Sequence, residues 1–184
     1  LKTREPVKTL LDVGTGSGCI AITISLEKLA NNIIAIDISD TALIIAKKNA
    51  KDHCTNNITF SMTNFLQDKI TKKFDVIVSN PPYISQSEIS GLQPEINQFE
   101  PTHSLTDNKD GLTFFRHFSN TANNIILKCD IESSEYLVID QLLEYSNRIK
   151  MLIFEFHWID KNENIFVESV KKLQSKFDII HIHA

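Results

Sequence analysis

The sequence predicts an α/β fold: a mostly parallel open sheet with helices on both faces. Three observations lead there. Short apolar runs alternate with segments of helical spacing, the first run leads straight into a glycine-rich turn, and no internal repeat or low-complexity stretch breaks the alternation. Crossovers in such sheets are right-handed, and ligands bind at the carboxyl ends of the strands.

Thr9 to Val13 is the first strand and runs into Gly14-Thr15-Gly16-Ser17-Gly18. Cys19 to Leu29 carries apolar residues at helical spacing, with Ile20, Ile24 and Leu26 among them. Ile33 to Ile36 is the second strand, and Asp40 is placed to cap a helix through Ala42, Ile45, Ala46 and Ala50. Ile58 to Ser61 makes a short third strand. Phe74 to Ser79 makes a fourth, whose apolar run suits a parallel strand covered on both faces. After a long loop, Gly111 to Asn123 reads as a helix, Ile125 to Ile131 as a strand and Ser134 to Leu143 as a helix. Met151 to Phe156 follows as a strand, Phe166 to Leu173 as a helix and Asp178 to His183 as a final strand.

Composition narrows the function. The 184 residues are 42% hydrophobic and 23% charged, as in a globular domain that buries a sizeable core. A net charge of −4 supplies no general basic field, so direct binding of nucleic acid is not expected. Cys19, Cys54 and Cys129 have no paired spacing, which argues against a zinc site or a disulfide framework; a reducing cytoplasm is the expected setting. His181 and His183 alternate on one strand with no carboxylate pattern tied to them, so no metal is expected. No apolar run reaches the ~20 residues of a membrane span. The chain starts at Leu1 rather than Met, which suggests a longer parent.

Glycines after the first strand let the backbone turn tightly and approach a ligand with no Cβ in the way. Asp37 ends the second strand 19 residues after Gly18, where a carboxylate can accept both hydroxyls of a ribose. Nicotinamide enzymes share that pairing, but their fingerprint is Gly-x-Gly-x-x-Gly. Here it is Gly-x-Gly-x-Gly, followed by Cys19, and the dinucleotide reading fails. Leu11-Asp12-Val13-Gly14-Thr15-Gly16-Ser17-Gly18 resembles the first motif of the Rossmann-like class I methyltransferases. The resemblance implies S-adenosyl-L-methionine as cofactor. It places Asp12 near the cofactor's amino group, the loop with Thr15 around its methionine end, Asp37 on the ribose and Ile38 beside it. An Asp often follows the third strand near the adenine; Thr63-Asn64-Phe65 stands there instead, with Asn64 offering a carbonyl acceptor.

The fourth strand leads into Asn80-Pro81-Pro82-Tyr83-Ile84. Consecutive prolines fix φ and supply no N–H, so the loop is stiff and its carbonyls have few internal partners. A plain rigid turn is the bland alternative. An amide or aromatic amine nitrogen is a poor nucleophile because its lone pair is delocalised. The side-chain oxygen of Asn80 and the carbonyl of Pro81 can accept its two N–H groups, and Tyr83 can lie flat on the planar group. Positioning of this kind carries much of a methyl transfer and needs no strong base. Asn80 is thus expected to hold the acceptor and to face the cofactor's methyl group.

Such a loop occurs in methyltransferases of nucleic-acid bases and of a protein glutamine amide. Phe99-Glu100-Pro101, Ser104-Leu105 and Asp110-Gly111-Leu112 follow at spacings that resemble the release-factor glutamine methyltransferase (HemK) family over about residues 5–124. That resemblance implies transfer of a methyl group to the N5 of a glutamine side chain in a peptide-chain release factor, by a monomer in the cytoplasm.

The resemblance breaks in two places. The family carries an N-terminal substrate-recognition domain, and only nine residues precede Leu10 here. Residues 125–184 form a divergent distal half of the catalytic domain. Lys128, Asp130, Glu132, Ser133 and Glu135, followed by Phe154-Glu155-Phe156-His157, resemble the distal part of the FkbM methyltransferases, which act on hydroxyls of small molecules or sugars. Solvated charges at element ends are the competing reading of Asp130, Glu132, Glu135 and His157. Two segments, Phe74 to Tyr83 and Ile125 to Glu135, thus compete for one structural position. O-methylation of the FkbM kind, or a non-catalytic cofactor-binding fragment, are the alternatives to glutamine methylation.

Overall fold

The computed structural model describes residues 5–92, 98–121, 125–129, 139–140, 143–144, 146–147, 149–155, 163–176 and 182–183. The chain divides into two compact units: Leu1–Pro82 with Glu100–Ser104, and Tyr83–Phe99 with Leu105–Ala184.

The first unit holds β1 (Val7–Val13), α1 (Cys19–Leu26), β2 (Ala30–Asp37), α2 (Asp40–Asp52), β3 (Ile58–Met62) and β4 (Val76–Ser79). Its sheet has the order β3-β2-β1-β4 and is parallel at every pairing, the expected α/β arrangement. β1 therefore has β2 on one edge and β4 on the other, and the chain order reverses beside it, where ligands bind in open sheets of this class. Leu10, Ala21, Ala30, Ile33 and Ala35 form the buried core, with Val7, Ile24, Ile58, Phe60, Val76 and Val78 packed around them. Alanines at 21 and 35 bring α1 close to the sheet.

Both helices of this unit stop where a residue that carries a β-carbon takes the left-handed region. After α1, Lys28 has φ +55°; its N–H donates to Ser25 and that of Leu29 to Ile24. After α2, Cys54 has φ +56°; its N–H donates to Lys51 and that of Thr55 to Ala50. This pair of bonds is the Schellman arrangement, which glycine usually completes. The helix expected to continue to Leu29 ends at Leu26 for that reason. The cap of α2 is a correction as well. Ser39, not Asp40, is the capping residue, its hydroxyl accepting the Ala42 N–H at 3.3 Å, and Asp40 is an acidic first-turn residue.

β4 is shorter than its apolar run. Phe74 and Asp75 lie before it, because the Asp75 carboxylate accepts the N–H and hydroxyl of Thr9 at 2.8 and 3.1 Å and fixes the register of β4 on β1. All four β4 residues are half-buried rather than fully covered.

The second unit contains α4 (Thr113–Thr121), β5 (Ile125–Cys129), β6 (Ile149–Glu155), α5 (Glu163–Gln174) and β7 (Ile182–His183); the short helix α3 (Thr102–Leu105) precedes α4 in the chain. Its sheet, β5-β6-β7, is also parallel. Ile139 and Leu173 are buried there, and Lys172 pairs with Asp140 at 2.8 Å on the surface. Asp130, Glu132, Glu135 and His157 lie outside the described residues, as do most of the expected helix from Ser134 and the start of the last strand.

Candidate active site

Three strand ends of the first unit lie side by side. Val13 pairs with Ile36 of β2 and with Ser79 of β4, so Gly14, Asp37 and Asn80, each the next residue along, emerge at one edge of the sheet. The Ser79 hydroxyl donates to the Val13 carbonyl at 2.8 Å and ties the start of the Asn80 loop to the end of β1.

The glycine loop is built by hydrogen bonds to β2. Ile36 O accepts the N–H groups of Gly14 and Thr15 at 2.9 and 3.0 Å, and Asp37 Oδ2 accepts that of Gly16 at 2.8 Å. Asp37 Oδ1 accepts the Ser39 N–H at 2.9 Å. Asp37 thus braces the loop and the entry to α2, a role that its spacing from Gly18 did not reveal. Each oxygen keeps a further lone pair for an incoming hydroxyl.

The glycines differ in what they need. Gly14 and Gly16 have φ of +71° and +56°, and a Cβ on either would meet nothing within 4 Å, so open space lies against the loop. Gly18, at φ +85°, backs onto α2: a Cβ there would sit 3.1 Å from the Ala46 Cβ and the Ile22 Cδ1. Its requirement for glycine is met by helix packing.

Asp12 is fully buried beneath this loop. Its Oδ2 accepts the hydroxyl of buried Thr15 at 2.7 Å, while Oδ1 has no hydrogen-bond partner. Burial holds the carboxyl above the usual carboxylate range; the Thr15 hydroxyl and the Ala21 N–H oppose the shift, and the neighbouring Asp37 charge adds to it. An orphaned, buried carboxylate oxygen calls for an external donor.

Ile38 is 54% exposed, and Phe65 is buried. Asn64 follows β3, but its Oδ1 accepts the Leu66 N–H at 3.0 Å and shapes the turn whose N–H at Asn64 the Asp68 carboxylate accepts. Any adenine amino group would share that acceptor. Asn80 is exposed, Pro81 is half-buried, and Tyr83, also half-buried, belongs to the second unit. Among the described residues, no group of three or more His, Cys, Asp or Glu is placed to hold a metal, and no helix is long and apolar enough to cross a membrane.

A family model, the methyltransferase small domain, matches residues 1–95, just over half of the chain. A release factor glutamine methyltransferase of Bacillus subtilis is 45% identical over 111 residues, which cover 59% of this chain and 38% of that protein. One from Fusobacterium nucleatum is 40% identical over 127 residues, covering 68% and 35%. The chain therefore spans well under half the length of either relative. A solved ribosomal protein L11 methylase of Lactobacillus delbrueckii is 32% identical, with a TM-score of 0.39 over 59% of this chain and 50% of that one. The resemblance drawn from the motifs of residues 5–124 is borne out by these relatives, and the chain belongs to the methyltransferase small domain family.

Proposed function

We propose that this chain is the catalytic portion of an S-adenosylmethionine-dependent enzyme that methylates the N5 of a glutamine side chain in a peptide-chain release factor. The observation that carries the reading is the alignment of Gly14, Asp37 and Asn80 at one sheet edge, with the orphaned Asp12 oxygen beneath it.

The residues fit the cofactor. Asp12 Oδ1 is an unpaired acceptor suited to an ammonium group, Gly14 and Gly16 leave a cradle that any Cβ would fill, and Asp37 retains lone pairs for two ribose hydroxyls. Ile38, Asn64 and Phe65 follow the second and third strands and complete the set for the adenine. When bound, the cofactor supplies an electrophilic methyl group on a sulfonium. The chain's own part is positioning. The Asn80 side-chain oxygen and the Pro81 carbonyl accept the two N–H groups of the glutamine amide and turn its nitrogen toward attack, and Tyr83 covers the planar group. Transfer would form the N–C bond as the cofactor's C–S bond broke, with the surplus amide proton passing to water. No strong base is needed, because an amide nitrogen becomes acidic as it is alkylated. A release factor acts in translation, so the reading puts the enzyme in the cytoplasm, and the substrate-gripping surface belongs to the length that the relatives have beyond this match.

The test is methyl transfer from isotopically labelled S-adenosylmethionine to a purified release factor, followed by peptide mapping. One methyl on a glutamine side chain is expected. Label on nucleic acid or on small-molecule hydroxyls, with the release factor unmodified, would discard the reading.

A further inference from the structure

We infer that Asp107 and Gly111 form a main-chain clamp that sets the position of Tyr83, and hence that both are positioning residues for the acceptor amide. The inference rests on the functional reading above for the role of Tyr83, but its geometry lies wholly within the second unit.

Residues just after Tyr83 are laced to the loop beyond α3. The Ile84 N–H donates to the Leu105 carbonyl at 3.0 Å, Ile84 and Thr106 form a parallel bridge, and the Gln86 N–H donates to the Lys109 carbonyl at 2.8 Å. The loop then doubles back against Tyr83 at Gly111. A Cβ at Gly111 would lie 2.2 Å from the Tyr83 carbonyl oxygen, 2.9 Å from its carbonyl carbon and 3.3 Å from the Ser85 nitrogen. These are backbone atoms that no rotamer change can move aside, and φ is +78°. Glycine is required there on both counts.

Asp107 makes the doubling back possible. Its Oδ1 accepts the N–H groups of Lys109 and Gly111 at 2.8 and 2.9 Å, and its Oδ2 accepts that of Thr113, at the start of α4, at 3.0 Å. One carboxylate thus gathers three backbone donors around the turn that carries Gly111. Partial burial alone would raise its pKa; the bonds from Thr113, Gly111 and Lys109 more than offset this and hold the carboxyl below its usual range. Buried Thr106 adds its hydroxyl as acceptor for the Asn108 N–H at 3.1 Å. No side chain intervenes between Gly111 and the Tyr83 carbonyl, so a small shift of this turn moves the Tyr83 backbone directly.

The variants Gly111→Ala, Asp107→Ala and Asp107→Asn test the inference, each read by amide hydrogen exchange, cofactor affinity and release-factor methylation at saturating cofactor. In Gly111→Ala the amides of Ile84 and Gln86 should exchange about tenfold faster or more, while Leu11 and Val13 of β1 keep their protection. Turnover should fall about a hundredfold, the scale of an ångström's misplacement, with cofactor affinity unchanged. Asp107→Asn, which retains one side-chain oxygen, should recover part of what Asp107→Ala loses. Full turnover in Gly111→Ala with Ile84 and Gln86 still protected overturns the inference. So does a parallel fall in cofactor affinity and β1 protection, which would mark general damage to the fold. Failure of the wild-type chain to methylate a release factor, even with the substrate-gripping length of the relatives restored, would instead strike the functional reading, and the exchange data would still decide whether the clamp exists.

Discussion

Replacing Asp12 by Asn probes the site at its most deeply buried charge. The carboxyl is fully buried, with Thr15 on one oxygen and nothing on the other, and burial raises its pKa. A raised value in the folded state means that the folded chain binds the proton more tightly than the unfolded chain. The sign follows from linkage. The cofactor-free protein gains its full benefit from Asp12 below the unfolded value of 3.8, loses it as pH rises through the folded value, and is flat above. Asp12→Asn keeps an acceptor for the Thr15 hydroxyl and should abolish that decline, visible in melts recorded across acidic pH. An ammonium delivered to Oδ1 favours the carboxylate, so cofactor binding by the wild type should release a proton near the folded pKa. Calorimetry in two buffers of different ionisation enthalpy detects it. The charged hydrogen bond lost in the variant is worth about 1.5–3 kcal/mol. At ~1.4 kcal/mol per factor of ten, that is about a ten- to hundredfold loss of affinity. If Asp12→Asn bound S-adenosylmethionine as tightly as the wild type and kept the pH dependence, Asp12 would not face the cofactor.

Three further outcomes are expected. Asp37→Ala should shrink the rise in melting temperature produced by S-adenosylmethionine, and should also lower the melting temperature without it, because the Gly16 and Ser39 N–H groups lose charged acceptors; a larger shift from NADH than from S-adenosylmethionine would sink the cofactor assignment. Asn80→Ala should cut turnover by orders of magnitude while leaving cofactor affinity nearly intact, since the contact proposed for it belongs to the methyl-transfer step. Collapse of cofactor binding in that variant would make Asn80 structural. Cys54→Gly should stabilise the chain by about 1 kcal/mol by relieving a left-handed L-residue after α2, measured by denaturant unfolding, and no gain would refute the strain assigned there.

Much of this was legible in the residues because it depends on local rules. Gly14 to Gly18 follow a strand, Asp37 ends the next, and Asn80 follows the fourth, so chain order alone brings them to one edge once the sheet is parallel. Other features left no periodic signal. The end of α1 rests on a lysine in a glycine's conformation, which spacing cannot announce. Ser39 and Asp40 are adjacent capping types, and only backbone geometry separates them. Asn64 was readable as an acceptor but not as one engaged by Leu66. The Asp107 turn is a set of bonds between one carboxylate and successive amides in a loop, where no hydrophobic pattern operates.

The competition between Phe74 to Tyr83 and Ile125 to Glu135 is settled by counting edges. A strand has two, and those of β1 are taken, residue by residue, by β2 and β4: Val13 pairs with Ile36 and with Ser79. Ile125–Cys129 is a strand as expected, but its ladder runs to β6, with Ile125 beside Ile149 and Cys129 beside Phe154. It cannot also border β1. The interruption of its apolar run by Lys128 foretold a different place from that of Val76–Ser79, whose four residues are apolar up to the serine that bonds back to Val13. The residue that leaves the sheet beside Gly14 is therefore Asn80. An amide at that point suits an acceptor bearing two N–H groups, whereas transfer to a hydroxyl would call for a group able to take its proton. Chemistry and topology select the same loop.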